Sequence, residues 1–169
     1  MSTGQMLLVL AALVTFSMVA LTINQSVITT TETALEYEAL NTAENIANTY
    51  LNESFSKPYG AKIANGQVIE DPNNFSTCGR GSGEEYEEFN DCDDFDGLSR
   101  NDTTARLGIF KVDMEVYFVD PDHPDTYVVY KTNTKKIVVK VTNPYLGINP
   151  NTGEPLVYED CKTKTYPME

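Results

Sequence analysis

Hydrophobic positions along this chain pass through three regimes. From Met6 to Ile23 (MLLVLAALVTFSMVALTI) nearly every residue is apolar, and only Thr15, Ser17 and Thr22 break the run. Next, apolar residues thin to Ile28, Leu35, Ala39, Ala43, Ile46 and Tyr50, with Ala47, Leu51 and Phe55 on the adjoining stripe. Steps of three, four and seven describe one face of a helix. Neither proline nor glycine occurs between Gln5 and Phe55. The pattern therefore predicts one helix from Gln5 to about Ser54, roughly 75 Å long at 1.5 Å per residue. Its first part must be enclosed on every side, whereas its second needs cover on one face only. The weak point is Val27 to Thr33 (VITTTET), where β-branched residues lower helix propensity and local loosening is expected. The breaker cluster Lys57-Pro58-Tyr59-Gly60 ends the helix.

The third regime has period two. Phe110, Val112, Met114, Val116 and Phe118 alternate with Ile109, Lys111, Asp113, Glu115 and Tyr117, which predicts a strand with one apolar face. Tyr127 to Lys131 (YVVYK), Lys135 to Thr142 (KKIVVKVT) and Val157 to Tyr166 are read as three more strands. Between helix and strands lies an irregular stretch rich in Gly, Asn and Asp. Within it, Asn65-Gly66 between two apolar-containing runs predicts a short hairpin. The order gives an α+β fold: a long N-terminal helix packed on an antiparallel sheet of about four strands. The segments are 1–26, an apolar helix for a membrane or filament core; 27–55, its amphipathic continuation; 56–105, an αβ-loop; and 106–169, the sheet and C-terminal segment.

Charge sharpens this picture. Residues 1–31 carry none, and the first basic residue is Lys57, yet the whole chain of 169 residues has a formal net charge of −13. A polyanionic partner would be repelled, so nucleic acid is not expected. A helix of eighteen apolar residues spans about 27 Å, close to the hydrocarbon core of a bilayer. No basic flank accompanies it, which argues against an ordinary cleaved signal or a simple anchor. The chemistry of a catalyst is missing from the sequence: a single histidine, His123, sits in a turn, and no phosphate-cradling glycine loop, CxxC pair or haem motif occurs. No enzymatic activity and no resident cofactor are expected.

Two clusters carry other candidate chemistry. Asp91, Asp93, Asp94 and Asp96 form the densest acidic run and could present hard oxygens to calcium. The spacing is not that of an EF-hand, because Cys92 falls at the first position and Thr103 at the twelfth. Turn chemistry in a solvated loop explains the same residues equally well. Cys78 and Cys92 enclose a loop with few apolar anchors, and a disulfide there would lower its unfolded-state entropy by about 3 kcal/mol. Sequons at Asn74 and Asn101, both placed in the loop, are candidate glycosylation sites, while Asn24 and Asn52 lie on the helix.

The layout, with MLLVLAALVTFSMVALTINQS at one end and TKKIVVKVTNPYL in the sheet, resembles that of bacterial type IV pilins and pseudopilins. The resemblance implies export through an inner membrane, maturation by a prepilin peptidase, N-methylation, and assembly by pilus machinery into a helical homopolymer on the cell surface. The helices would meet in its centre through Gln5, Leu7, Leu8, Leu10, Leu13, Val14, Phe16, Val19, Leu21 and Ile23. It also implies a rival pairing in which Cys161 staples the C-terminal segment. Family members usually carry glutamate at the fifth mature position. Here that position is Gln5 if Met1 is the mature start, or Val9 if cleavage precedes Gln5. The family's usual helix-breaking proline or glycine is missing as well. The expected role is a structural filament subunit, with cell adhesion among the functions the resemblance implies. The alternatives are a pseudopilin of a type II-like secretion system and a monomeric, membrane-anchored binding domain.

Overall fold

A computed structural model describes residues 2–81 and 83–168. The architecture is α+β: a long N-terminal helix packed against a four-stranded antiparallel sheet. Helix α1 runs Thr3–Ser56 without interruption, including the β-branched stretch expected to loosen. The reason is local. The hydroxyls of Thr29, Thr30, Thr31 and Thr33 each donate to the carbonyl four residues back, at 2.8–3.0 Å. Thr15, Ser17 and Thr22 do the same in the apolar part. The hydroxyls thus find partners within the helix, and with no proline in the stretch the backbone ladder is unbroken.

The chain divides into two compact units, Met1–Glu38 and Ala39–Glu169. From Thr3 onward the first is α1 alone. The second holds the rest of α1 together with all other elements. There, Ala39, Ala43, Ala47, Tyr50, Leu51 and Ser54 form the buried face of the helix. Ala39, Ala43, Ala47, Tyr50 and Leu51 keep the predicted spacing, Ser54 joins them while Phe55 is exposed, and the three alanines allow close approach of the backbone to the sheet.

Strands β1 (Ser99–Thr104), β2 (Gly108–Phe118), β3 (Thr134–Thr142) and β4 (Val157–Thr165) pair as a meander in chain order. Phe110 lies opposite Asp102, Val112 opposite Val141, Val116 opposite Ile137, and Val138 opposite Cys161. The inward residues Phe110, Val112, Met114, Val116, Ile137, Val139 and Val141 are buried, as the period-two pattern requires. Tyr50 ties the helix to β1 through its hydroxyl, which donates to the Asp102 carboxylate at 3.1 Å. Lys162 and Lys164 on β4 reach back to Asn52 and to the helix C-terminus, where Lys164 donates to the Phe55 carbonyl at 2.8 Å and to that of Lys57. A cation at the carbonyl end of a helix satisfies groups the helix cannot.

Two predicted elements differ. Tyr127–Lys131 is not a strand; its ladder contact is one isolated bridge, Val119 to Tyr127. Val129 is 87% exposed, so a β-like composition there has no sheet face to bury. The fourth strand is β1 instead, a polar segment (SRNDTT) assigned above to the αβ-loop. Its place comes from the hairpin with β2, where Gly108 at φ 74° supplies the left-handed turn conformation. The hairpin expected at Asn65-Gly66 is a short helix, α2 (Ala61–Ala64), whose end is capped when Asn65 Nδ2 donates to the Ala61 carbonyl at 2.9 Å.

Candidate assembly surface and the buried acidic turn

The residues expected to mediate assembly all lie on the first part of α1. Its most apolar eighteen-residue window has a mean hydropathy of 2.5, and none of it is buried within the chain. Leu8 and Phe16 are 73% and 74% exposed, and Leu7, Leu10, Leu13, Val14, Val19, Leu21 and Ile23 are likewise exposed. Gln5 Oε1 accepts from the Ser2 backbone N–H at 3.1 Å, so its side chain caps its own helix start. By length and composition the helix can cross a membrane.

The acidic run folds into a tight turn at Asp93–Phe95, and its carboxylates disperse rather than converge. Asp94 Oδ2 accepts the backbone N–H of Asn90 and Asp91 at 2.8 and 3.1 Å. Asp96 Oδ1 accepts the Val116 N–H at 2.9 Å and fastens the turn to β2. Asp91 Oδ1 accepts the Asp93 N–H at 2.6 Å. Asp93 Oδ1 meets Lys135 Nζ at 2.6 Å, and its Oδ2 accepts from Ser76 Oγ at 2.8 Å. Among the described residues no group of three or more acidic, His or Cys side chains is placed to hold a metal ion. The calcium reading is thereby corrected: a calcium site needs several oxygens aimed at one point, and most of these are spent on backbone amides, the Ser76 hydroxyl and Lys135.

Asp91, Asp93 and Asp94 are 1%, 2% and 4% exposed, contrary to the solvated loop expected. Burial pushes Asp91 up to about 6, partly offset by the Asp93 N–H. Burial also raises Asp93, against the opposing pull of Lys135. Lys135, wholly buried on β3, donates to the Tyr59 carbonyl at 2.8 Å and sits 4.1 Å over the Tyr59 ring. The sequence offered one signal for this lysine: it occupies an inward position of β3, in line with Ile137, Val139 and Val141.

All three cysteines are free thiols. The Cys78–Cys92 disulfide and its rival with Cys161 are therefore not formed here. Cys92 is buried and its Sγ donates to the Tyr59 carbonyl at 2.9 Å, while Cys161 lies exposed on β4. Burial raises both the Cys78 and the Cys92 thiol, so neither favours the reactive thiolate. Asn74 is exposed after α2, and Asn101 is exposed on β1 rather than in the loop. His123 is exposed, 3.7 Å from Asp120.

A second aromatic nucleus joins Tyr86, Phe89 and Phe95 at centroid distances of 5.1–6.1 Å, with Arg100 4.4 Å over the Tyr86 ring. The Tyr86 hydroxyl donates to the Glu53 carboxylate on the helix. Elsewhere a shallow cleft between Ile109, Ile148 and Pro155 has Lys111 as the one titratable residue on its wall. No protein-family profile, curated protein or solved structure matches this chain.

Proposed function

We propose that this chain is a structural subunit of an extracellular type IV pilus-like helical filament. The first part of α1 is the polymerisation element, and the acidic α+β unit is the outer surface. One observation carries this reading: an eighteen-residue apolar window with nothing covering it inside its own chain. Exposing such surface to water costs about 25 cal/mol per Å². Lipid meets that requirement before assembly, and copies of the same helix meet it afterwards. Ala11, Ala12, Ser17 and Ala20 let neighbouring helices approach closely. Contacts of this kind that do not close on themselves generate a fibre. The subunit reaches the surface by way of the inner membrane, with a prepilin peptidase and pilus assembly machinery as partners. Its role is mechanical, not enzymatic.

The test is electron microscopy of material sheared from cells, with the full chain and with residues 1–26 deleted. Fibres containing the full chain, lost on deletion, support the proposal. Full-length molecules that stay single in detergent or lipid, on cells shedding no such fibres, would identify a membrane-anchored domain instead. Short fibres confined to the periplasm would identify a pseudopilin.

A further inference from the structure

Lys135 and Asp93 are a charge pair sealed from water, with side-chain exposures of 0% and 2% and an Nζ–Oδ1 separation of 2.6 Å. Each partner is held on a second side. Lys135 is fixed by the Tyr59 carbonyl and flanked by the Tyr59 and Phe118 rings at 4.1 and 5.0 Å. Asp93 is fixed by the Ser76 hydroxyl. Two residues before Asp93, Asp91 accepts the Asp93 N–H through Oδ1, while its buried Oδ2 has no hydrogen-bond partner among the described residues. A buried carboxyl oxygen without a partner calls for an explanation. We propose that Lys135 and Asp93 condense into an intramolecular isopeptide bond between Nζ and Cγ, with Asp91 carrying the proton.

The chemistry balances within the site. The proton of the pair passes from Nζ to the Asp93 carboxyl, leaving a neutral amine and a neutral acid. Nζ attacks Cγ to form the C–N bond. Asp91, entering in its acid form, protonates the departing oxygen and recovers a proton from the nitrogen. The C–O bond breaks and one water leaves; no oxidant, reductant or activating nucleotide is consumed. Burial favours each stage. It raises Asp91 and Asp93 toward their acid forms. It excludes the water that would reverse the reaction. It also makes the neutral amide preferable to two ions in a medium that solvates ions poorly. Holding both reactants in contact replaces a bimolecular encounter with a unimolecular step. The bond would join the αβ-loop to β3 across 42 residues of chain.

Peptide mapping of the full-length protein, purified in detergent and digested after denaturation, decides the matter. The expected product is a branched peptide joining Lys135 to Asp93, lighter by one water than the two linear peptides together. Linear peptides alone overturn the proposal. Lys135→Arg and Asp93→Ala must give linear peptides only. In Asp91→Asn, checked for an unchanged circular dichroism spectrum, the branched peptide accumulates roughly 100-fold more slowly after a pulse of synthesis. Accumulation at the wild-type rate overturns the role given to Asp91.

Discussion

The two parts of helix α1 share one backbone conformation and differ in almost everything else. Around Leu13 and Phe16 no side chain is buried; around Ala43 and Ala47 one face is wholly buried. The helix is thus a local property, set by propensity, an unbroken run without proline or glycine, and hydroxyls that bond their own turn. Burial is a property of partners. The second part finds its partner in the same chain, and the first finds none there.

Substitutions in the two parts should fail in different assays. The largest effect is expected from Leu13→Asp. A charge at the centre of an apolar helix costs about 2.5–3.5 kcal/mol in a membrane, and each subunit of a polymer repeats that cost. Filaments should vanish from micrographs, while the urea unfolding transition of the 39–169 unit moves by less than about 0.5 kcal/mol. Lys135→Met should reverse the pattern. It leaves the buried Asp93 carboxyl without Lys135, its partner as an ion pair or as a joined amide, and should destabilise the folded unit by about 3–5 kcal/mol, read from the same transition. Ala47→Leu should cost roughly 1–3 kcal/mol through overpacking. Ala20→Leu, on the exposed part, should leave unfolding unchanged, and equal effects at both sites would erase the distinction.

An effect of similar size to that of Ala47→Leu is expected in pH. Asp91 is raised from 3.8 to about 6 in the folded chain, so the native state binds more protons than the unfolded state between those values. Stability from this group is fully present below pH 3.8 and is lost as pH rises toward 6, by about 1–3 kcal/mol. Asp91→Asn should flatten that slope in equilibrium unfolding measured from pH 4 to 7.

The elements with strong periodicity were legible from residues alone: α1 from its steps of three and four, β2 and β3 from alternation. β1 was not, because Ser99–Thr104 contains no apolar residue to alternate. It is a strand because β2 pairs with it and because Asp102 receives the Tyr50 hydroxyl. Tyr127 to Lys131 reads as a strand from composition, yet its ladder contact is a single isolated bridge from Tyr127 to Val119. The acidic turn was located but misread as solvated. Sequence shows four aspartates near one another; it does not show that Lys135, some forty residues later, closes over one of them.

The sheet ends laterally in β1 and β4, and each outermost strand presents charged side chains: Arg100 and Asp102 on one, Glu159, Asp160, Lys162 and Lys164 on the other. Open strand margins invite strangers to add on, and charges there, lysine above all, discourage it. At high local concentration, sideways stitching of such sheets into amyloid-like ribbons is the hazard these charges oppose. With that route blunted at both flanks, the sheet margins offer little to join, while the apolar window of α1 stays open to a partner.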